Sequence, residues 1–405
     1  MVDWSSLHYD LLVLIVRRIP LYDDFIAFGG VCQSWRFSLK QYSTSQRIPK
    51  TPCLMLAEKE GSSYLRGFFS LNLSLSKGIG GMTRQVLLPQ AYGKMCFSSQ
   101  GWLITIGKNL RIKLLHPFLR LQIKLPHMRT LFHQEIKHLD KPVTWSYAAF
   151  FDKIVLSASP SETSDYVVMA IYGAYEKFAF CRHGDKSWTK IRTKFPFLEC
   201  FLDVVYYNNN NKFYCVDNQG GVFACDIRSP DPGLTSTPVT TLPEELAHRI
   251  SDVTLFYLVE SSGTLLLVSQ QLDLLVPPVW GEGINEYWTK GFIVFEVGLD
   301  GREWKELKSL DNRALFLGHN SSISVEAFDF SGCIPNCIYF TDSFSDSSNM
   351  RIPGGGGRDM GIYNMLDGSI QPCYPGQSRS NVTPPMWVVP SLGITNSIPK
   401  VAPLV

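Results

Sequence analysis

The sequence predicts an α+β chain of two unlike parts, three short helices followed by an all-β, propeller-like domain of about six irregular blades. Three observations predict it. Apolar residues recur at helical spacing only over roughly the first 45 residues. From Cys53 onward the pattern changes to short β runs broken by turns. Those runs fall into groups of three or four with a period of roughly 40 to 65 residues, the spacing of propeller blades. Because the spacing is uneven, and standard kelch or WD signatures are not evident, a pair of stacked β-sandwiches is the alternative.

The helices come first. Leu7, Leu11, Leu12, Ile15 and Ile19 share one helical spacing, and Val13, Leu14 and Val16 fill the gaps. A helix apolar nearly all round must bury more than one face. Pro20 stops it. A second helix over Tyr22 to Phe28 ends at Gly29-Gly30, and a third runs from Val31 to Leu39. A unit this small cannot bury all these aliphatic side chains internally, so the rest of the chain or a partner protein must cover them.

The β groups follow in order. Cys53–Leu56, Tyr64–Leu73 and Val86–Leu88 form the first, and Trp102–Ile106, Arg111–Leu115 and Leu121–Leu125 the second. Lys153–Ser157, Tyr166–Tyr172, Lys177–Cys181 and Trp188–Ile191 form the third, and Asp203–Tyr207, Lys212–Val216, Val222–Asp226 and Val239–Leu242 the fourth. Phe256–Glu260, Leu265–Gln270, Phe292–Val297 and Trp304–Leu307 make the fifth, and Asn336–Thr341, Gly361–Asn364 and Ile370–Gln371 the sixth. Turns such as Asn218-Gln219-Gly220-Gly221, Asp300-Gly301 and Asp367-Gly368 supply the positive φ that tight hairpins need. Leu274 to Trp288 reads as a long surface loop and Ser343 to Asp359 as a mobile one. Beyond Pro384 only Met386 to Val389 resembles an element, and a strand near Cys53 to Leu56 is the candidate to close the ring.

Composition narrows the function. The chain has 405 residues, 45% hydrophobic and 18% charged, which excludes wholesale disorder. The net charge of +2 argues against a general nucleic-acid or anionic-membrane binder. No apolar run approaches the roughly 18 residues a membrane helix needs, and Leu11 to Val16 follows Asp3 and Asp10, the wrong flank for a signal peptide. A cytoplasmic or nuclear protein is expected, with its ten cysteines as thiols.

Chemistry-bearing motifs are scarce. Cys333-x-x-x-Cys337 and Cys181-x-His183 are the nearest approaches to zinc-ligand spacing, and neither supplies two matched pairs, so no metal is expected. There is no Gly-x-Ser-x-Gly elbow. Gly354 to Gly357 lacks the Lys-Ser/Thr of a phosphate-binding loop. Neither a cofactor nor an enzymatic activity is expected.

The N-terminal residues Leu7-His8-Tyr9-Asp10-Leu11-Leu12, Ile15, Arg18-Ile19-Pro20, Asp23 and Val31-Cys32-Gln33-Ser34-Trp35-Arg36 resemble an F-box. The family pattern carries proline where His8 stands and lysine where Gln33 stands, and His8 forgoes a pre-set helix start. Downstream, His116-Pro117-Phe118 through Leu125-Pro126, Lys153 through Pro160, Trp188-Thr189, Asn336 through Asp342 and Asp359 through Asn364 are similar to the KIB-type β-propeller-like domain of plant F-box proteins. The resemblance implies an F-box over residues 2–44 and a substrate-recognition domain over 50–390. It implies a substrate receptor of an SCF-type ubiquitin ligase, docked on a Skp adaptor and through it on a cullin and a RING protein. The alternative is a binding or scaffold protein that uses an F-box without directing ubiquitination.

On this reading Leu7, Leu11, Leu12, Ile15, Ile19, Pro20, Val31, Cys32 and Trp35 bury at the adaptor interface or support it. Trp35 is a natural hot spot, since aromatic anchors dominate such interfaces. The protein target is unidentified. Its candidate contacts are Trp280, Tyr287 and Trp288 in the Leu274–Trp288 stretch, and Arg111 and Arg120 in the basic run from Lys108 to Lys124, which suits an acidic or phosphorylated target or is simply a solvated face.

Overall fold

The computed structural model describes residues 4–19, 22–45, 52–58, 64–72, 80–131, 150–173, 177–191, 200–227, 236–251, 253–275, 286–330, 332–342 and 355–390. Three helices open the chain: α1 (Tyr9–Val16), α2 (Tyr22–Val31) and α3 (Gln33–Ser45). The second runs through Gly29-Gly30 instead of ending there. A Cβ on Gly29 would meet Leu39 Cδ2 at 2.9 Å, so the glycine lets α2 lie close on α3. The third is longer than its apolar pattern, because its last turn is polar.

Six sheets follow, one per blade. Blade 1 holds β1 (Cys53–Met55), β2 (Leu65–Asn72) and β3 (Gly80–Leu87); blade 2 holds β4 (Met95–Ser99), β5 (Trp102–Ile106), β6 (Ile112–Leu115) and β7 (Gln122–Lys124). Blade 3 is β8 (Phe151–Leu156), β9 (Val167–Tyr172), β10 (Lys177–Arg182) and β11 (Thr189–Ile191); blade 4 is β12 (Phe201–Tyr207), β13 (Lys212–Asp217), β14 (Gly221–Cys225) and β15 (Thr237–Thr241). After the short helix α4 (Glu244–Ala247), blade 5 is β16 (Thr254–Ser261), β17 (Thr264–Leu275), β18 (Glu286–Glu296) and β19 (Lys305–Leu307). Blade 6 is β20 (Arg313–Leu317), β21 (Ile323–Glu326), β22 (Cys337–Phe340), β23 (Gly361–Asn364) and β24 (Ile370–Gln371). The last strand, β25 (Met386–Val388), returns to pair antiparallel with β1, Trp387 opposite Leu54, and completes blade 1 from inside.

Three strands carry no legible alternation and escape the sequence pattern. β4 is buried at all five residues. β20 and β21 occupy blade 6 out of order, β21 innermost and β20 parallel to β22. The expected loop over Leu274 to Trp288 is partly sheet, since Leu272 to Leu275 pair with Thr289 to Glu286 as a long hairpin. Residues 276–285, Trp280 among them, lie outside the described residues, as do 343–354.

The expectation of a mobile stretch fails at its C-terminal end, where Gly355, Gly356 and Gly357 are buried. Gly355 has φ +73° and a Cβ there would sit 2.3 Å from the Ser380 backbone, so only glycine lets these chains meet.

Six apolar clusters fill the six gaps between blades, and each blade feeds two of them. Along β9, Val168 and Ala170 face blade 2 while Val167, Met169 and Ile171 face blade 4. A strand covered on both faces reads as an unbroken apolar run, as Val167–Tyr172 does. The ring closes where Trp387 of β25 meets Phe316 at 5.0 Å and Tyr339 at 5.7 Å between ring centroids. This gap holds Leu54 and Phe69 from blade 1 as well.

The axis is polar. Lys153 of β8 and Asp203 of β12 form an ion pair at 3.0 Å with 4% and 0% of their side chains exposed. Lys153 also donates to the Gly318 carbonyl at 3.1 Å and lies over the Tyr257 ring. Asp203 accepts from the Val204 and Leu258 amides and from Ser322 Oγ, at 2.8, 3.0 and 2.9 Å. Breaking such a pair from one side costs about 3–5 kcal/mol, because the surviving charge stays buried. Lys153→Met is therefore expected to lower stability by about that much in denaturant unfolding, and Lys153→Met/Asp203→Asn to recover more than half of the loss.

His319 lies within the field of Lys153 and stacks on Phe97 with centroids 4.5 Å apart. Burial first, and the Lys153 charge second, push its imidazole down to about 3. A depressed histidine stays neutral when folded but charges when unfolded, so its contribution is full above pH ~6.5 and is lost as pH falls toward 3. Asp359 works in the opposite sense, because burial raises its carboxyl to about 6 and its contribution is lost as pH rises through that value. Melting curves between pH 4 and 7 should show a weaker acid-side decline for His319→Gln, and a steeper net decline for Asp359→Asn, than for wild type.

Candidate functional site

The helical unit has a core of its own: Leu12 and Val16 of α1 meet Phe28 and Leu39, all at most 5% exposed. Leu7, Ile19 and Trp35 pack against it, half-buried. Trp35 lies 4.5 Å from the Phe28 ring, and its Nε1 donates to the Trp4 carbonyl at 2.9 Å. Arg36 Nε donates to the Gly29 carbonyl at 3.0 Å and locks α3 to the end of α2.

What this core leaves outside is unusual for a helix. Leu11 is 50% exposed, Leu14 52% and Ile15 37%, with Tyr9 beside them on α1 and Val31 at the end of α2 also open. Each such side chain gains about 1.5–3 kcal/mol when fully buried. Of the expected adaptor residues, Leu11, Ile15 and Val31 are presented to solvent, Leu12 is internal, and Leu7, Ile19, Cys32 and Trp35 are half-buried. Pro20 lies outside the described residues. Leu14 and Tyr9 belong to the exposed set although neither is among the expected adaptor residues; Leu14, seven residues after Leu7, could have been found from helical spacing.

Among the described residues an ion pair joins helices to propeller, Arg84 Nη1 of β3 to Asp24 Oδ1 of α2 at 2.7 Å, both ends partly exposed.

The propeller offers a second site. A cavity of about 290 Å³ opens at the axial mouth where the first and second strands of the blades turn back. All six blades line it, with Glu162, Tyr206, Glu260 and the hydroxyls of Ser321, Ser322 and Ser324 among the walls. Ser322, one of its lining residues, donates to Asp203.

The expected target-contact residues do not converge. Arg111 is exposed just before β6, whereas Arg120 follows that strand in a turn at φ +57°, at the opposite end of the blade. Tyr287 is buried and donates its hydroxyl to Asp342 Oδ2, which also accepts from the Gly357 and Arg358 amides at 2.9 and 3.1 Å. It fastens blade 5 to the glycine segment and offers no contact surface. Trp288, its neighbour on the other face of β18, is 46% exposed.

None of the ten cysteines is in a disulfide, and burial raises Cys333 to about 12 and Cys337 to about 11, which leaves those two protonated and unreactive. Among the described residues no three His, Cys, Asp or Glu side chains gather to hold a metal, and no helix is long and apolar enough to cross a membrane.

A small helical unit with an uncovered apolar face, joined to a closed six-bladed propeller, defines the class of F-box proteins that carry a propeller. The chain belongs to the KIB1-4 beta-propeller family, whose model matches residues 68–364. It is similar to F-box protein SKIP23 of Arabidopsis thaliana, 24% identical over 420 residues covering 96% of each chain. It is also similar to F-box protein At2g26160 of the same plant, 27% identical over 366 residues, 85% of this chain and 97% of that one.

His8 departs from the F-box pattern yet occupies proline's geometry. It caps α1 at φ −61° with no side-chain hydrogen bond, and its contact with Asp10 is largely in solvent. His8→Pro is expected to stabilise the helical unit by about 0.4–1 kcal/mol through the unfolded chain, read as a higher midpoint in urea.

Proposed function

We propose that this chain is the substrate-recognition subunit of an SCF-type ubiquitin ligase. Its helices dock on a Skp adaptor, and through it on a cullin and a RING protein, while the propeller holds the target. The observation that carries this reading is the face of Leu11, Leu14 and Ile15, left open on a helix whose opposite side is already closed over its own core. In this reading Leu11, Ile15 and Val31 touch the adaptor. Leu7, Leu12, Ile19, Pro20, Cys32 and Trp35 shape or support that surface.

The chain itself performs no bond chemistry in this role. It contributes proximity, converting an encounter between target lysine and conjugating enzyme into a quasi-intramolecular one. That requires a rigid holder, and the family match together with the axial network supports one.

Co-purification with a plant Skp adaptor tests it. Wild type should be retained. Leu11→Asp should lose at least tenfold in affinity with an unchanged melting temperature, because the side chain is half exposed. Trp35→Ala should lower both affinity and stability, since its ring packs on Phe28. A wild-type chain that the adaptor ignores would remove the reading.

A further inference from the structure

We propose that the junction of blades 1 and 2, on the face that carries the connections from one blade to the next, binds an anionic peptide segment with an adjacent apolar side chain. Between Gly61 and Gln134 the chain has ten Lys or Arg and no Asp or Glu. The net charge of +2 is therefore +10 in that segment and −8 in the remainder. Near-neutrality of the whole conceals a strongly basic region.

The fold concentrates this charge. Register puts Lys113 of β6 directly opposite Lys124 of β7. Like charges facing each other across a ladder destabilise it. Lys94, in the connection between the two blades, has its ammonium pushed down by burial and then by Lys113. Lys113 Nζ donates to the neutral Gln122 Oε1 at 2.9 Å. Among the described residues none of the three lysines is in an ion pair. Glu58, an acid at this end of the blade, is already committed to Arg66 at 2.8 Å and to the Gly93 amide at 3.0 Å. Arg66 is 3% exposed and its Nη1 has no hydrogen-bond partner.

Apolar surface adjoins the lysines. Tyr64 and Tyr92 are 52% and 41% exposed with rings 4.9 Å apart, and Leu65 lies opposite Leu87 in register, 37% and 42% exposed. Tyr92 and Lys94 belong to the same connection, so apolar patch and cations share one end of the junction. Exposed aromatics rimmed by uncompensated cations match a peptide that brings acidic groups beside an apolar anchor. Acidic side chains and phosphorylated ones share this chemistry.

The inference deepens the receptor reading by naming a class of target, and it is tested without the adaptor. Random dodecapeptides displayed on phage are selected on the immobilised full chain, wild type beside Lys113→Glu/Lys124→Glu. Peptides enriched at least threefold in Asp and Glu are expected from wild type, with capture lost in the variant. The variant should melt close to the wild-type temperature, because a Glu–Glu pair replaces the Lys–Lys pair at the same ladder position. Fluorescence anisotropy with a Glu-rich dodecapeptide, its phosphoserine counterpart and its Gln counterpart tells carboxylate from phosphate, and Tyr64→Ser should weaken the bound peptide several-fold. Absence of acidic enrichment, equal binding of the Gln peptide, or a twelve-nucleotide RNA bound in preference to every peptide would overturn the proposal. The two readings fail separately: Lys113→Glu/Lys124→Glu should still co-purify with the adaptor, and Leu11→Asp should still capture acidic peptides.

Discussion

Everything in the propeller depends on how its axis is filled. Six inner strands converge there, and an empty axis would leave their ends without partners. The five residues Gly318 to Ser322, between β20 and β21 of blade 6, run through the centre, where His319 is 3% and Asn320 0% exposed. The Ser321 amide donates to Ser98 of blade 2 at 2.8 Å, Gly318 receives Lys153 of blade 3, and Ser322 donates to Asp203 of blade 4. Asn320 accepts from the Trp387 amide of blade 1, and Asp203 accepts from Leu258 of blade 5. Through that segment all six blades enter one hydrogen-bonded net. Gly318 makes the path possible: at φ +139° a Cβ would meet Thr341 Oγ1 at 1.9 Å.

This constraint explains why blade 6 abandons sequential strand order. A blade threaded like the others would leave its connection at the rim. By placing β21 inside β20, the chain passes across the axis before entering the ring. The departure then requires a parallel partner for β20, which β22 supplies after the turn at Ala327–Asp329. Closure by β25 adds a second non-local demand, since Cys53 and Val388 pair from opposite ends of the domain. Contacts of such high sequence separation carry a large loop-closure cost.

Much of this was legible. Blades 3, 4 and 5 announce themselves because their inner strands are largely apolar runs between turn residues, as in Val167–Tyr172 or Leu265–Val268. The helical unit was legible from spacing, and its need for cover from the surplus of aliphatic side chains. Blade 6 was half legible, since β20 and β21 mean little until the axis is known to need filling. The Lys153–Asp203 pair gave a signal that spacing alone conceals. Phe151-x-Lys153 and Phe201-x-Asp203 hold equivalent places in successive inner strands, and both registers shift at the same point. Aligning the repeats against one another would have set a buried cation beside a buried anion. The basic run was legible as sequence but not as a surface, because β6 sends Arg111 and Arg120 to opposite ends of the blade while β7 brings Lys124 back to Lys113.

The two halves of the molecule are stabilised in different currencies, and this bears on the proposed receptor role. The propeller closes its six gaps with its own side chains and its axis with its own polar groups, so its shape needs no partner. Among the described residues the helices close a small core around Leu12, Val16, Phe28 and Leu39, and they meet the propeller at a partly exposed ion pair between Asp24 and Arg84. Such a pair contributes at most about 1 kcal/mol. It orients the helices without burying them, and the apolar face of α1 stays free. A holder rigid at its centre and a docking unit left incomplete at its surface are what a subunit needs when it must keep one partner's geometry fixed while acquiring another.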